Sequence, residues 1–158
     1  MLAPRAARHL PRGMVIRFDP RKRLSTLEQR GLDFLDAESV FAGPTIEIPD
    51  RRRDYGELRT ICFGVLCGPA VIVVYTERNG IRHIISMRKA NEREQRRFLP
   101  TSAEGEIHSD LQRIDSHSIQ PEEYEEIPEL TEADFAAAVI KRPGQPDQPF
   151  LAKPPQTT

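Results

Sequence analysis

Glu57 and Arg59 stand two residues apart at the start of an extended run, so both side chains leave the same face of a sheet. A carboxylate and a guanidinium so placed can serve as proton acceptor and phosphate clamp, or simply satisfy each other as an edge ion pair. His83 sits within an otherwise apolar strand-like run. An imidazole of ordinary pKa, near ~6.5, moves protons at neutral pH, although a strand histidine can equally be structural. Arg88 and Lys89 follow at a strand-to-helix corner, where a guanidinium fork can hold a phosphate or point into solvent. Strict alternation puts Arg82 and Arg88 opposite His83, so one face presents all three only if a bulge or strand end intervenes. Lys22 and Arg23 on a helix, and the loop Arg51, Arg52 and Arg53, offer either polyanion contacts or solvated charge. Tyr75 offers a ring for base stacking or for a core. No group of His, Cys and carboxylates has metal-ligand spacing, so no metal or other cofactor is expected.

These side chains need a scaffold, and its punctuation is readable. Asp19-Pro20 caps and opens a first helix that should carry Leu24 and Leu27 inward and Lys22, Arg23 and Arg30 outward, ending at Gly31. Asp33 caps a second, with Phe34, Ala37, Val40 and Phe41 at helical spacing and Gly43-Pro44 as its stop. Four β-rich runs follow, 45–49, 58–66, 70–77 and 81–87, the last two joined by Asn79-Gly80, a hairpin signal. The expectation is an α+β fold, two short helices on a four-stranded antiparallel sheet, followed by a basic helix over 88–98. Val15–Phe18 is a short extended run. Residues 1–13 read as an irregular leader and 99–109 as a linker. Pro121–Pro128 reads as unable to build a core. Thr131 and Asp134 should start a helix carrying Phe135, Ala138 and Val139 that stops at Pro143-Gly144, with a structureless tail from Gln145.

The chain has 158 residues and a formal net charge of -1, which conceals a split. Residues 1–98 carry 19 Lys and Arg against 12 Asp and Glu, whereas residues 99–158 carry 4 against 12. A basic front suggests a polyanion partner, and an acidic rear can occupy the same field. There is no apolar run near membrane-spanning length, and Met1–Leu10 lacks the apolar stretch of a secretory signal, so a cytoplasmic protein without membrane contact is expected. Cys62 and Cys67 are too few and wrongly spaced for a disulfide scaffold or CxxC motif, and read as buried thiols.

Phe18-Asp19-Pro20, Phe34, Ala37, Val40-Phe41, Glu57-x-Arg59, Tyr75-Thr76-Glu77-Arg78 and Ile84-Ile85-Ser86-Met87-Arg88-Lys89-Ala90 resemble the BrnT toxin family over about residues 14–98. The resemblance implies a RelE-like fold and a metal-independent ribonuclease toxin of a type II toxin-antitoxin pair. It implies catalytic roles for Glu57, Arg59, His83 and Arg88, and RNA binding by Lys22, Arg23, Arg82 and Lys89. The chain departs from the family pattern at Thr26, at Gln29-Arg30-Gly31 and at His83.

Residues 110–115 and 119–131 resemble the opening of BrnA antitoxins, here without the ribbon-helix-helix module that follows in those proteins. DNA contact would then need a separate antitoxin chain. The implied arrangement is a toxin domain at 14–98 and an antitoxin-like segment at 110–144. That segment would mask the toxin in cis through Glu122, Glu123, Glu125 and Glu126 and anchor through Tyr124, Phe135 and Ile140. The alternative is a catalytically degenerate module that binds RNA or an antitoxin.

Overall fold

The structure, a computed structural model, describes residues 15–52, 54–97 and 109–150. The expected leader at 1–13, Phe98 and all but the last residue of the expected linker lie outside the described residues. The fold is mixed α+β, with one seven-stranded sheet and six α-helices among the described residues.

Asp19 accepts from the Arg21 amide at 2.9 Å and starts α1 (Pro20–Arg30), which Gly31 ends at φ 76°. A 3-10 turn (Phe34–Asp36) leads into α2 (Ala37–Ala42). The four expected strands are β2 (Thr45–Asp50), β3 (Arg59–Val65), β4 (Ala70–Arg78) and β5 (Ile81–Lys89), consecutive antiparallel neighbours. Asn79 and Gly80 both take positive φ, as a tight right-twisting hairpin requires. The expected basic helix is shorter, α3 (Glu92–Arg97), because Arg88 and Lys89 continue β5.

Three further strands extend this meander. β1 (Val15–Phe18) lies parallel to β5, so the extended run before the first helix is an edge strand. At the other edge β6 (Val139–Lys141) pairs with β2, and β7 (Gln148–Pro149) with β6. The expected helix through Val139 is therefore corrected. α6 (Glu132–Ala136) has the expected capping box at Thr131, but Val139 and Ile140 leave it to complete the open edge of β2. The tail beyond Gln145 likewise contributes a strand.

The sheet buries both faces. Leu32, Phe34, Val40 and Phe41 cover one, together with Ile114 of α4 (Leu111–Ser116). Ile127, which ends α5 (Pro121–Glu126), covers the other with Leu130, Phe135 and Ala138. The stretch 121–128 thus does enter a core, with Ile127 at 0% exposure and Glu123 at 2%. Packing is close enough at β3 that a Cβ on Gly64 would lie 2.6 Å from Val40 Cγ1.

The inward stripe of α1 is also reversed. Leu24 is 58% exposed, whereas Thr26 and Arg30 are buried. Lys22, Thr26 and Arg30 recur every four residues on one face, and that face meets polar partners: the Met87 carbonyl on β5 and two glutamates of α5.

Candidate functional site

One sheet face carries the residues of interest because of a bulge. β4 and β5 pair Val74 with Ser86 but Tyr75 with Ile84, leaving Ile85 as the extra residue. Side chains directly opposite share a face, so His83, Ser86 and Arg88 fall on one side and Arg82, Ile84 and Lys89 on the other. The bulge therefore brings two of the three conflicting residues together and leaves Arg82 behind. Across the sheet the His83 level runs Arg17, His83, Thr76, Arg59, Asp50 on β1, β5, β4, β3 and β2. The next level, Ser86, Val74, Ile61 and Ile48, lies buried under the C-terminal segment.

Glu126, at the end of α5, closes over that second level. Its carboxylate accepts from Ser86 Oγ at 2.8 Å and from Arg30 Nη2 at 2.5 Å, with Lys22 Nζ at 3.3 Å. Arg52 donates to its carbonyl at 3.0 Å. Glu123, three residues earlier, lies 3.4 Å from Arg30 Nε and 2.6 Å from His117 Nε2. Glu122 and Glu125 face solvent, so two of the four expected glutamates engage the basic half.

Burial raises the Glu126 carboxyl, but the hydrogen bonds from Ser86 and Arg30 and the charges of Arg30 and Lys22 more than reverse this, holding it below the ordinary carboxylate range. A lowered folded-state pKa means that the ionised contact contributes fully above the ordinary value of about 4.3 and is lost as pH falls through the lowered value. Amide protection factors over 122–126 should accordingly fall more between pH 6 and pH 3 than those in β3 and β4, and Glu126→Gln should remove most of that difference. An unchanged pH response in the variant would refute the assignment.

Glu57 precedes β3 and is held by Arg78 Nε and Nη2 at 2.9 and 2.7 Å, with Arg59 Nε 4.0 Å away. Those Arg78 hydrogen bonds keep its carboxyl below the ordinary range. Arg59 lies over the Tyr55 ring at 4.0 Å, and its Nε has no hydrogen-bond acceptor. The partly exposed His83 side chain forms no hydrogen bond with a described residue. Arg88 is wholly buried and forked onto Glu94, so as placed it has no donor left for a phosphate. Lys89 donates to the carbonyls of Ile114, Asp115 and His117 beside the end of α4.

Arg23 forks onto Asp33 at 2.9 and 3.1 Å. Arg82, on the opposite face, is buried over the rings of Phe41 and Tyr75. Tyr75 is a core aromatic whose hydroxyl donates to Glu47, which also meets Lys141 at 3.3 Å. Of the expected anchors, Tyr124 lies 4.9 Å from the Arg88 guanidinium, Phe135 is buried against Phe63, and Ile140 packs on the same core. Cys62 is buried, which pushes its thiol pKa up, but Cys67 is only partly buried, at φ 46° in a turn.

The family described as ribonuclease toxin, BrnT, of type II toxin-antitoxin systems covers β1's last residue through α3's third. Residues 18–94 match the BrnT family. No curated protein matches the chain. The BrnT match ends at Glu94, the partner of Arg88, while Glu126 and everything else that closes over the sheet face lie beyond it. Ser86 and Arg30 escaped the sequence reading as site residues. The four-residue stripe from Lys22 to Arg30 was the available signal for the latter. Among the described residues no group of three or more His, Cys, Asp or Glu could hold a metal ion, and no helix is long and apolar enough to cross a membrane.

Proposed function

We propose that residues 14–98 act as a metal-independent endoribonuclease of RelE-like layout, working on cytoplasmic RNA, and that residues 110–144 mask it in cis. The observation that carries this reading is the Glu126 carboxylate, an anion held by Arg30, Lys22 and Ser86 on the same sheet face as His83. A phosphodiester in that position would meet two cations and a hydroxyl donor, the set that stabilises a pentacoordinate phosphorane. His83 lies one side-chain repeat along β5, about 7 Å away. It would take the ribose 2'-OH proton as the oxygen attacks phosphorus, or return a proton to the departing 5' oxygen, leaving a cyclic phosphate. Arg59 would then serve as a neighbouring phosphate contact, and Arg88 would be released only when residues 124–130 lift. A separate antitoxin chain would supply any contact with DNA.

Glu126→Ala should therefore yield RNA fragments ending in a cyclic phosphate, together with growth arrest on expression, where the unaltered chain yields neither. Adding His83→Ala should abolish both. A folded Glu126→Ala chain that leaves RNA intact would remove the masking account. The second reading, a binding module without cleavage, draws support from the complete engagement of Arg88 and Lys89, whose donors are all taken by the chain itself.

A further inference from the structure

We propose that the level of the sheet left open by the C-terminal segment, marked by Arg17, His83 and Arg59, is a track for single-stranded RNA that works while Glu126 is in place. The intact chain then holds RNA without cutting it. This rests on the reading of residues 14–98 as RNA-directed, and adds to it that the uncovered part of the same face, extended by Arg17, binds RNA before the covered position opens.

The boundary is drawn by burial. On the second level Ile48, Ile61, Val74 and Ser86 are at most 3% exposed, whereas one level away Arg17 is exposed and His83 and Arg59 are partly so. Arg17 lies on this face because Ile16 and Phe18 on either side of it pack into the opposite core. Neither the Arg17 nor the His83 side chain forms a hydrogen bond or ion pair with a described residue, and Arg59 Nε has no hydrogen-bond acceptor among them. Carboxylates nearby are shared with other cations. Asp50 is taken by Arg52 at 2.9 and 2.7 Å, and Glu57, 4.0 Å from Arg59 Nε, is hydrogen-bonded by Arg78 instead, which leaves Arg17 unopposed.

Strand spacing of 4.7–4.9 Å places Arg17 and Arg59, three strands apart, at roughly 14 Å. That width suits a few nucleotides of backbone running across the strands. The Tyr55 ring fixes one side of the Arg59 guanidinium plane, and the plane can stack a base. Stacking favours a nucleic acid over an acidic peptide as the occupant.

The test uses the full chain and a fluorescent 2'-O-methyl oligoribonucleotide, which lacks the attacking hydroxyl, so binding is read apart from cleavage. The intact chain should bind it, and Arg17→Ala should weaken binding for all sequences alike and lower the salt slope by about 0.7. Its melting temperature should not move, since Arg17 holds nothing. Absence of binding, an Arg17→Ala chain that binds as before, or polyglutamate competing as well as RNA would each overturn the track. If Arg17 matters but Glu126→Ala fails to cleave, the track stands and only the masking account falls.

Discussion

Phe135→Ala should cost about 3–5 kcal/mol of folding free energy, the range for truncating a fully buried phenylalanine. The ring is 0% exposed, edge-on to Phe63 at 6.5 Å and tilted against Phe150 at 5.4 Å, among Ile46, Ile127 and Leu130. Its removal leaves a cavity at the seam between β2–β3 and the C-terminal segment. Because that segment also supplies Ile114 to the opposite core, the described chain should unfold in one transition. Urea unfolding followed by far-ultraviolet dichroism checks both statements. A loss below about 1 kcal/mol, or a separate early transition for residues 110–150, would mean that the segment rests on the sheet without completing it. The same physics argues against testing the catalytic reading on residues 14–98 alone. Cut there, the chain exposes Ile46, Ile48, Phe63 and Ile72 to water, which is why point variants of the full chain are the sharper probe.

What was legible in the sequence was local chemistry. Asp19-Pro20, Gly31, Asn79-Gly80 and the Thr131–Asp134 box each carry their backbone conformation in one or two residues, and each forms as expected. What was not legible depends on partners far away in the chain. A capping box says where α6 starts, but its end is set by the free edge of β2, to which Val139–Lys141 are worth more as a strand. Leu24 and Leu27 suggest an apolar inner stripe for α1, yet the surface it meets is the Met87 carbonyl of β5 and two glutamates, so Arg30 goes inside. At the site, the conflict between His83 and Arg88 follows from strict alternation, and a bulge resolves it. The position of that bulge at Ile85 has no local signature, because it is a property of the pairing with β4.

Glu94→Gln should cost about 3–5 kcal/mol, as should Arg88→Met, because each leaves the partner's charge buried and uncompensated. Both side chains are at 0% exposure, and the fork between them measures 2.8 and 2.7 Å. Every remaining donor of Arg88 is used, with Nε on the Ile127 carbonyl at 2.7 Å and Nη2 on that of Pro128 at 3.0 Å. Glu94 in turn accepts from the amides of Asn91 and Leu130, each at 2.9 Å. A pair so enclosed contributes less net stability than its contacts suggest, since two charges were taken out of water to form it. Replacing both partners, Arg88→Met with Glu94→Gln, should therefore cost clearly less than the two single changes added together. Urea midpoints of the three variants decide this, and strict additivity would mean that the pair is effectively solvated. The consequence reaches the covered face. Residues 127–130 are fastened beside the end of β5 through this pair's hydrogen bonds, the contacts of Glu129 with Asn91 and Arg93 and the apolar side chains beside them, and Glu126 is the next residue along. Glu94→Gln should thus loosen Glu126 from Arg30 and Ser86 without altering either, and raise RNA cleavage toward the level of Glu126→Ala. Cleavage unmoved by Glu94→Gln, with Glu126→Ala active, would separate the two and make the buried pair a purely structural fastening.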